Sequence, residues 1–175
     1  VDADGKVDKF GVSRASAWHT DMSYEAELPK LAILHSLEVP AQKGGTLFAD
    51  MRAAYDALPD AKKQRMEGLT AVHSGASGPT GYRKNAPAEG PERASGDEEV
   101  RHPAVRRHPI TGRRILFVNP MHTMRLDGLS DPDSEALIME LSDDATRDGC
   151  TYYHDWEVGD VVIWDEASVL HRNAG

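Results

Sequence analysis

The chain has 175 residues, a formal net charge of −9 and a single cysteine, Cys150, which together indicate one domain with a sizeable core and no internal disulfide framework. The acidic balance gives no electrostatic reason to expect nucleic acid or an anionic membrane as a partner. Because no apolar run approaches the roughly 18 residues of a membrane helix, and a lone cysteine is typical of a reducing compartment, we expect a cytoplasmic protein.

The first half of the chain predicts short strands and two short helices. The predicted strands cover residues 31–39, 46–49 and 69–73, and the predicted helices cover residues 51–58 and 60–67. Asp50 can cap the first helix, and Gly68 stops the second. His35 lies within an apolar strand, so we expect it to be an interior histidine.

Residues 75–99 differ in kind from the rest of the chain. They hold five Gly and three Pro, many charges and almost no large apolar side chains. A segment of this length without its own secondary structure is uncommon inside a compact domain. We interpret it as a lid over a site or as a disordered insertion.

The second half predicts further strands and one longer helix. Strands are predicted over residues 101–108, 114–118, 152–156, 161–164 and 168–172. Ser130 and Pro132 open a helix whose apolar stripe consists of Leu137, Ile138, Leu141 and Ala145. Many short strands with few helices favour a mainly β fold with flanking helices, a double-stranded β-helix barrel of the jelly-roll, cupin-like type.

Two segments near the ends of the chain carry the residues of a candidate metal site. His19 and Asp21 lie two apart, so on one strand they would point to the same side, and a second strand can bring His171 to them. Two imidazoles and one carboxylate are the ligand set of non-haem Fe(II) oxygenases, and they leave open positions on the metal. A zinc-dependent cupin-like barrel or a non-catalytic barrel is also compatible with these residues.

Four motifs, the first of which contains His19 and Asp21, give the chain a resemblance to a known family. They are Trp18-His19-Thr20-Asp21, Gly44-Gly45-Thr46-Leu47-Phe48-Ala49-Asp50, Leu116-Phe117-Val118-Asn119-Pro120 and Gly159-Asp160-Val161-Val162-Ile163-Trp164-Asp165. With them the chain resembles the taurine dioxygenase-like (TauD/TfdA) Fe(II)/2-oxoglutarate-dependent dioxygenases. The resemblance runs from Trp18 to His171, nearly the whole chain.

The resemblance implies roles for individual residues. It assigns His19, Asp21 and His171 to Fe(II), and the Thr46 hydroxyl to the distal carboxylate of 2-oxoglutarate. In this family an arginine also anchors the distal carboxylate, and the resemblance places that arginine after Gly175. His122 and Trp18 are implied as substrate contacts, against the alternatives of a solvent-facing loop histidine and a core tryptophan.

The implied activity is hydroxylation of a small, anionic organic substrate, with O₂ and 2-oxoglutarate as co-substrates and release of succinate and CO₂. The carboxylate of Asp21 argues against the halogenating variants of this chemistry, in which a chloride takes its place. We expect residues 1–175 to form a single catalytic domain, incomplete at both ends. The family resemblance also implies a homo-oligomer, a dimer or a tetramer.

Overall fold

The computed structural model describes residues 16–39, 44–75 and 98–174, in which the chain forms ten strands and three helices. The strands are β1 Leu31–His35, β2 Gly45–Asp50, β3 Thr70–His73, β4 Val100–Pro103, β5 Val105–Arg107, β6 Arg114–Leu116, β7 Thr123–Asp127, β8 Thr151–Asp155, β9 Val161–Asp165 and β10 Val169–Asn173. The helices are α1 Met51–Ala57, α2 Asp60–Met66 and α3 Asp131–Thr146. The content is therefore mainly β with flanking helices, as predicted.

The strands pair in antiparallel fashion, and several pairs join distant parts of the sequence. The sheets have the orders β10–β2–β8 and β4–β3–β7, with two further pairs, β1–β9 and β5–β6. In the first sheet the late strand β10 runs beside the early strand β2, with His171 opposite Phe48. This pairing brings the predicted distal metal ligand into the first part of the fold.

The helices begin where their capping residues predict. The Asp50 carboxylate accepts hydrogen bonds from the backbone amides of Arg52 and Ala53, and so begins α1. The Ser130 hydroxyl accepts one from the amide of Asp133 at the start of α3. The predicted apolar stripe of α3 is buried: Leu137, Ile138, Leu141 and Ala145.

The main core lies between the helices and the sheets. Helix α1 packs on β6, and α3 packs on β7. The largest side chains in this core are nearly inaccessible to solvent: Met51, Met66, Ile115, Leu116, Leu126, Ile138 and Leu141. Apolar burial on this scale is the main driving force for folding.

One prediction about the interior is wrong. Strand β1 is shorter than predicted, and its apolar side chains face outward: Leu31 is 59% and Ile33 63% exposed. His35 is also exposed rather than an interior histidine. Within the described residues β1 forms a two-stranded sheet with β9, and the apolar side chains of β9 are exposed too, Val161 by 56% and Ile163 by 57%.

One strand was missed, and one predicted segment lies largely outside the described residues. Strand β7 was not predicted, because its sequence, Thr-Met-Arg-Leu-Asp, carries two charges and no Val, Ile or aromatic residue. Of the predicted lid or insertion, residues 76–97 lie outside the described residues.

Among the residues that are described, no helix has both the length and the apolar character needed to cross a membrane.

Candidate metal centre

His19 and His171 face each other as an antiparallel pair. The amide of His19 donates to the carbonyl of His171 at 3.1 Å, and the amide of His171 donates back at 2.8 Å. Directly opposed residues of such a pair project their side chains to the same side. The two imidazole rings accordingly lie with their centroids 4.3 Å apart, and both side chains are buried.

Asp21 joins the two histidines through a turn rather than a strand. Its Oδ1 lies 3.4 Å from Nε2 of His19, and its Oδ2 lies 3.7 Å from Nε2 of His171. The predicted shared strand for His19 and Asp21 is wrong, because only an isolated bridge forms at His19 and the chain then turns, with Met22 at φ 53°. The predicted juxtaposition of the three donors is nevertheless present in the structure.

The protonation of these groups suits a cation. The Ala17 carbonyl lies 2.8 Å from Nδ1 of His19 and can only accept, so Nδ1 carries a hydrogen and Nε2 is the ring nitrogen that can present a lone pair to a cation. Burial, and next the neighbouring His19, lower the pKa of His171 to about 4, so this ring is neutral at pH 7. Burial acts to raise the pKa of Asp21, but the hydrogen-bonding contact with His19, and next the neighbouring His171, outweigh it and hold that pKa below its usual value.

The three residues therefore fit a divalent transition metal. One donor atom from each lies within 4.8 Å of the others, and the described residues contain no other such group of His, Cys, Asp or Glu. Two neutral imidazoles and one carboxylate are a common donor set for such ions. A backbone carbonyl that orients one ligating imidazole, as Ala17 does, is a recurrent support in metal sites.

Thr46 lies on the same face of its sheet as His171. Side chains alternate along β2, so Thr46 and Phe48 share a face, and Phe48 is directly opposite His171. The Phe48 ring stacks near the His171 ring at a centroid distance of 6.3 Å. The Thr46 hydroxyl accepts a hydrogen bond from the Trp156 indole at 3.0 Å, which leaves its own hydrogen to be donated elsewhere.

The two predicted substrate contacts lie in different surroundings. His122 is buried, and its ring lies 6.3 Å from the His19 ring and 4.9 Å from the Tyr24 ring, so it is not a solvent-facing loop histidine. Trp18 instead packs against the main core, with the Arg172 guanidinium 5.3 Å from its ring. The substrate role of both residues stays a prediction.

Sequence reasoning missed Glu166, a glutamate in the turn between β9 and β10. It is 1% exposed, and its Oε2 accepts a hydrogen bond from the Asp21 amide at 3.0 Å. Burial, and next repulsion by the Asp21 carboxylate, raise the pKa of Glu166 to about 7. The only signal in the sequence was a second carboxylate directly after Asp165, which does not indicate burial.

Known proteins with similar sequences include an alkylsulfatase and a dioxygenase. The chain is 38% identical over 171 residues to an alkylsulfatase of Acinetobacter baylyi, covering 95% of this chain and 54% of the relative. It is 36% identical to an alpha-ketoglutarate-dependent 2,4-dichlorophenoxyacetate dioxygenase of Cupriavidus pinatubonensis, covering 98% of this chain and 61% of the relative. The chain thus spans little more than half the length of these curated relatives.

The fold has a counterpart among solved structures. The crystal structure of AAD-2 in complex with Mn(II) and N-oxalylglycine superposes with a TM-score of 0.82 at 31% identity, over 93% of this chain and 62% of that one. This likeness confirms the predicted jelly-roll fold class. The family model for taurine catabolism dioxygenases of the TauD, TfdA family matches residues 2–175. The chain therefore belongs to the TauD/TfdA family.

Proposed function

We propose that this chain carries the active site of an Fe(II)- and 2-oxoglutarate-dependent dioxygenase. The observation that supports it most is the convergence of His19, Asp21 and His171, with one donor atom of each within 4.8 Å of the others. Relatives named as alpha-ketoglutarate-dependent dioxygenases, that is 2-oxoglutarate-dependent ones, support the same assignment. When bound, Fe(II) supplies the centre at which 2-oxoglutarate and O₂ react to give succinate, CO₂ and a hydroxylated product.

In this proposal the residues of the chain hold and orient the reactants. The Nε2 atoms of His19 and His171 and the carboxylate of Asp21 hold the ion. Thr46 donates its hydroxyl hydrogen to the distal carboxylate of 2-oxoglutarate, since the Trp156 indole already occupies one of its acceptor positions. N-oxalylglycine, present with Mn(II) in the AAD-2 structure, shares both carboxylates with 2-oxoglutarate.

The proposed substrate is a small, anionic organic molecule. Two relatives are named for action on such compounds, an alkylsulfatase and a 2,4-dichlorophenoxyacetate dioxygenase. His122 lies beside the His19 ring and offers an imidazole to an anionic group. Trp18, which precedes His19 and packs against the main core, is proposed as the second substrate contact. Succinate release from a panel of alkyl sulfates, alkanesulfonates and aryloxyalkanoates would identify the class; a panel without any stimulation would contradict the proposal.

The metal assignment is tested by anaerobic titration of the metal-free protein with Fe(II) and 2-oxoglutarate. We expect a weak visible charge-transfer band in the wild type and in His35→Ala, a matched control that removes an exposed histidine. His19→Ala should lack the band. A band of equal strength in His19→Ala, or succinate formed with Zn(II) as readily as with Fe(II), would refute the assignment.

A homo-oligomer, a dimer or a tetramer, is part of the same proposal. The outward-facing apolar side chains of β1 and β9 support it, because Ile33 is 63% and Ile163 57% exposed. Large exposed apolar patches commonly mark protein contacts. Light scattering after size exclusion would measure the mass, and a monomer at micromolar concentration would contradict this part. A cytoplasmic location remains a prediction from the lone cysteine.

A further inference from the structure

Glu166 reaches from one ligand-bearing segment to the other. It lies in the turn that leads from β9 into β10, the strand of His171, and it accepts the amide hydrogen of Asp21 at 3.0 Å. The glutamate is 1% exposed, so this contact is shielded from water. Its carboxylate does not belong to the group of donors that could share one ion. Glu166 therefore contacts a ligand residue without being a ligand itself.

The segment that follows His19 has little regular structure to hold it. Within the described part of the chain, the strand-like pairing there consists of the single bridge between His19 and His171. After this bridge the Thr20 hydroxyl donates to the carbonyl of Val169 at 3.0 Å, and the Asp21 amide donates to Glu166. The position of the Asp21 backbone thus depends on side-chain hydrogen bonds in place of a strand ladder.

The turn that carries Glu166 is itself held by several hydrogen bonds. Oδ1 of Asp165 accepts the Ala167 amide at 3.0 Å, and its Oδ2 accepts the Ser168 hydroxyl at 2.6 Å. His108 also contacts Oδ2 of Asp165 through Nε2 at 2.6 Å, which ties the turn to the β5–β6 hairpin. These hydrogen bonds therefore hold the turn in the position from which the Glu166 side chain contacts Asp21.

We propose that Glu166 is a positioning residue, whose side-chain oxygen holds the backbone of Asp21 where its carboxylate can meet the two imidazoles. The inference rests on the proposed metal site. The role requires only an acceptor oxygen at the right reach, which the carboxylate offers whether or not it carries a proton. Groups that orient metal ligands in this way typically change metal affinity by roughly 10- to 100-fold when they are removed.

Two conservative variants distinguish the effect of the acceptor's position from the effect of its charge. Glu166→Gln keeps an oxygen at the same distance and removes the charge, whereas Glu166→Asp keeps the charge and withdraws the oxygen by one methylene. The measurement is titration of metal-free protein with Mn(II), with free Mn(II) followed by electron paramagnetic resonance. We expect Glu166→Asp to weaken Mn(II) binding by about 10-fold or more, and Glu166→Gln to remain within about 3-fold of the wild type.

Ser134→Ala is the matched control for a general loss of stability. The Ser134 hydroxyl also accepts a buried backbone amide hydrogen, that of Leu126 at 2.6 Å, at the start of α3 and away from the metal centre. This variant should lower the thermal midpoint and leave Mn(II) affinity unchanged. An equal loss of Mn(II) affinity in Ser134→Ala would overturn the inference, and so would Glu166→Gln binding as weakly as Glu166→Asp.

A measurement on the wild type does not depend on any variant. The amide hydrogen of Asp21 should exchange slowly with solvent in the metal-free protein, because its acceptor is buried. Rapid exchange would overturn the positioning role. The underlying metal site is judged separately: wild-type protein that does not bind Mn(II) refutes the proposed function, whereas normal binding in Glu166→Asp refutes the role of Glu166 alone.

Discussion

Two groups of buried histidines in this molecule differ in what surrounds them. The metal cluster consists of His19, Asp21 and His171, and its Asp21 side chain is 47% exposed. The interior cluster consists of His73, His102, Phe117 and Arg106, with the rings of His73 and His102 5.5 Å apart. Both groups contain neutral imidazoles, since burial lowers the pKa of His171 to about 4 and that of His73 to about 3.

The difference lies in the third partner of each histidine pair. In the metal cluster a carboxylate faces the two Nε2 atoms, whereas in the interior cluster a phenyl ring lies 5.3 Å from each imidazole. The groups whose charges act on His73 are His102, His122 and Arg106, all of which oppose its protonation. Proximity of two histidines is therefore not sufficient for a metal site; at the metal cluster the Asp21 carboxylate supplies a third donor, which the phenyl ring of the interior cluster cannot.

The largest expected effect comes from removing that donor. Asp21→Ala should abolish measurable Mn(II) or Fe(II) binding, a loss of at least about 100-fold, because a first ligand matters more than the groups that orient it. The fold should persist, since the Asp21 side chain is partly exposed. Mn(II) titration and thermal melting measure the two effects. If Asp21→Ala kept the wild-type affinity for Mn(II), the Asp21 carboxylate would not be the feature that distinguishes the two clusters.

Acid should destabilise the protein through the interior cluster. The pKa of His73 is lowered in the folded state, so between pH 6.5 and 3 the unfolded chain binds more protons and stability falls as pH falls. From pH 7 to pH 4 this group alone should cost about 3 kcal/mol. Urea unfolding of metal-free His73→Gln should show a correspondingly shallower pH dependence. Parallel curves for wild type and variant would contradict the prediction.

A neighbour of the metal cluster should affect the co-substrate and not the ion. Thr46→Val removes a hydroxyl that is proposed to donate to a carboxylate, and it should raise the KM for 2-oxoglutarate by roughly 10-fold. Mn(II) affinity should not change, and Thr46→Ser should restore most of the KM. A large loss of Mn(II) affinity in Thr46→Val would show that the two functions are not separable.

The smallest expected effect is on the second interior histidine. Nε2 of His102 lies 3.0 Å from the Glu25 carbonyl, so His102→Gln would leave that carbonyl with an altered partner and should cost about 1 kcal/mol of unfolding free energy. Metal binding should stay at the wild-type level. Denaturant unfolding measures the cost; weakened Mn(II) binding would contradict the separation of the two clusters.

Local signals in the sequence were sufficient to predict the helices. Asp50 and Ser130 cap their own helices through hydrogen bonds to residues two or three positions away, so the sequence alone indicates where the helices begin. The three residues of the proposed metal site were predicted from motifs, and their convergence follows from the bridge between His19 and His171 and from the turn that carries Asp21. The exposure of β1 could not be predicted, because an apolar stretch does not reveal whether another layer covers it.

The local geometry of the metal site depended on contacts between distant residues. The turn after His19 is held by a hydrogen bond from the Asp21 amide to Glu166, which lies 145 positions after Asp21. No local pattern could therefore distinguish this turn from a continued strand. The burial of Glu166 has the same origin, since it depends on how the turn after β9 folds back. The motifs therefore indicated which residues converge in the proposed metal site, but not Glu166, which contacts the Asp21 backbone.

The reciprocal hydrogen bonds between His19 and His171 have a consequence for redesign. They tie the two ligand-bearing backbones together without help from any ion or side chain. The spacing of the two imidazoles is therefore set by the backbone, whereas the position of Asp21 depends on side chains. A different donor at either position, such as a glutamate or a cysteine, would start from the same backbone anchor, which makes this pair a convenient place to change metal preference.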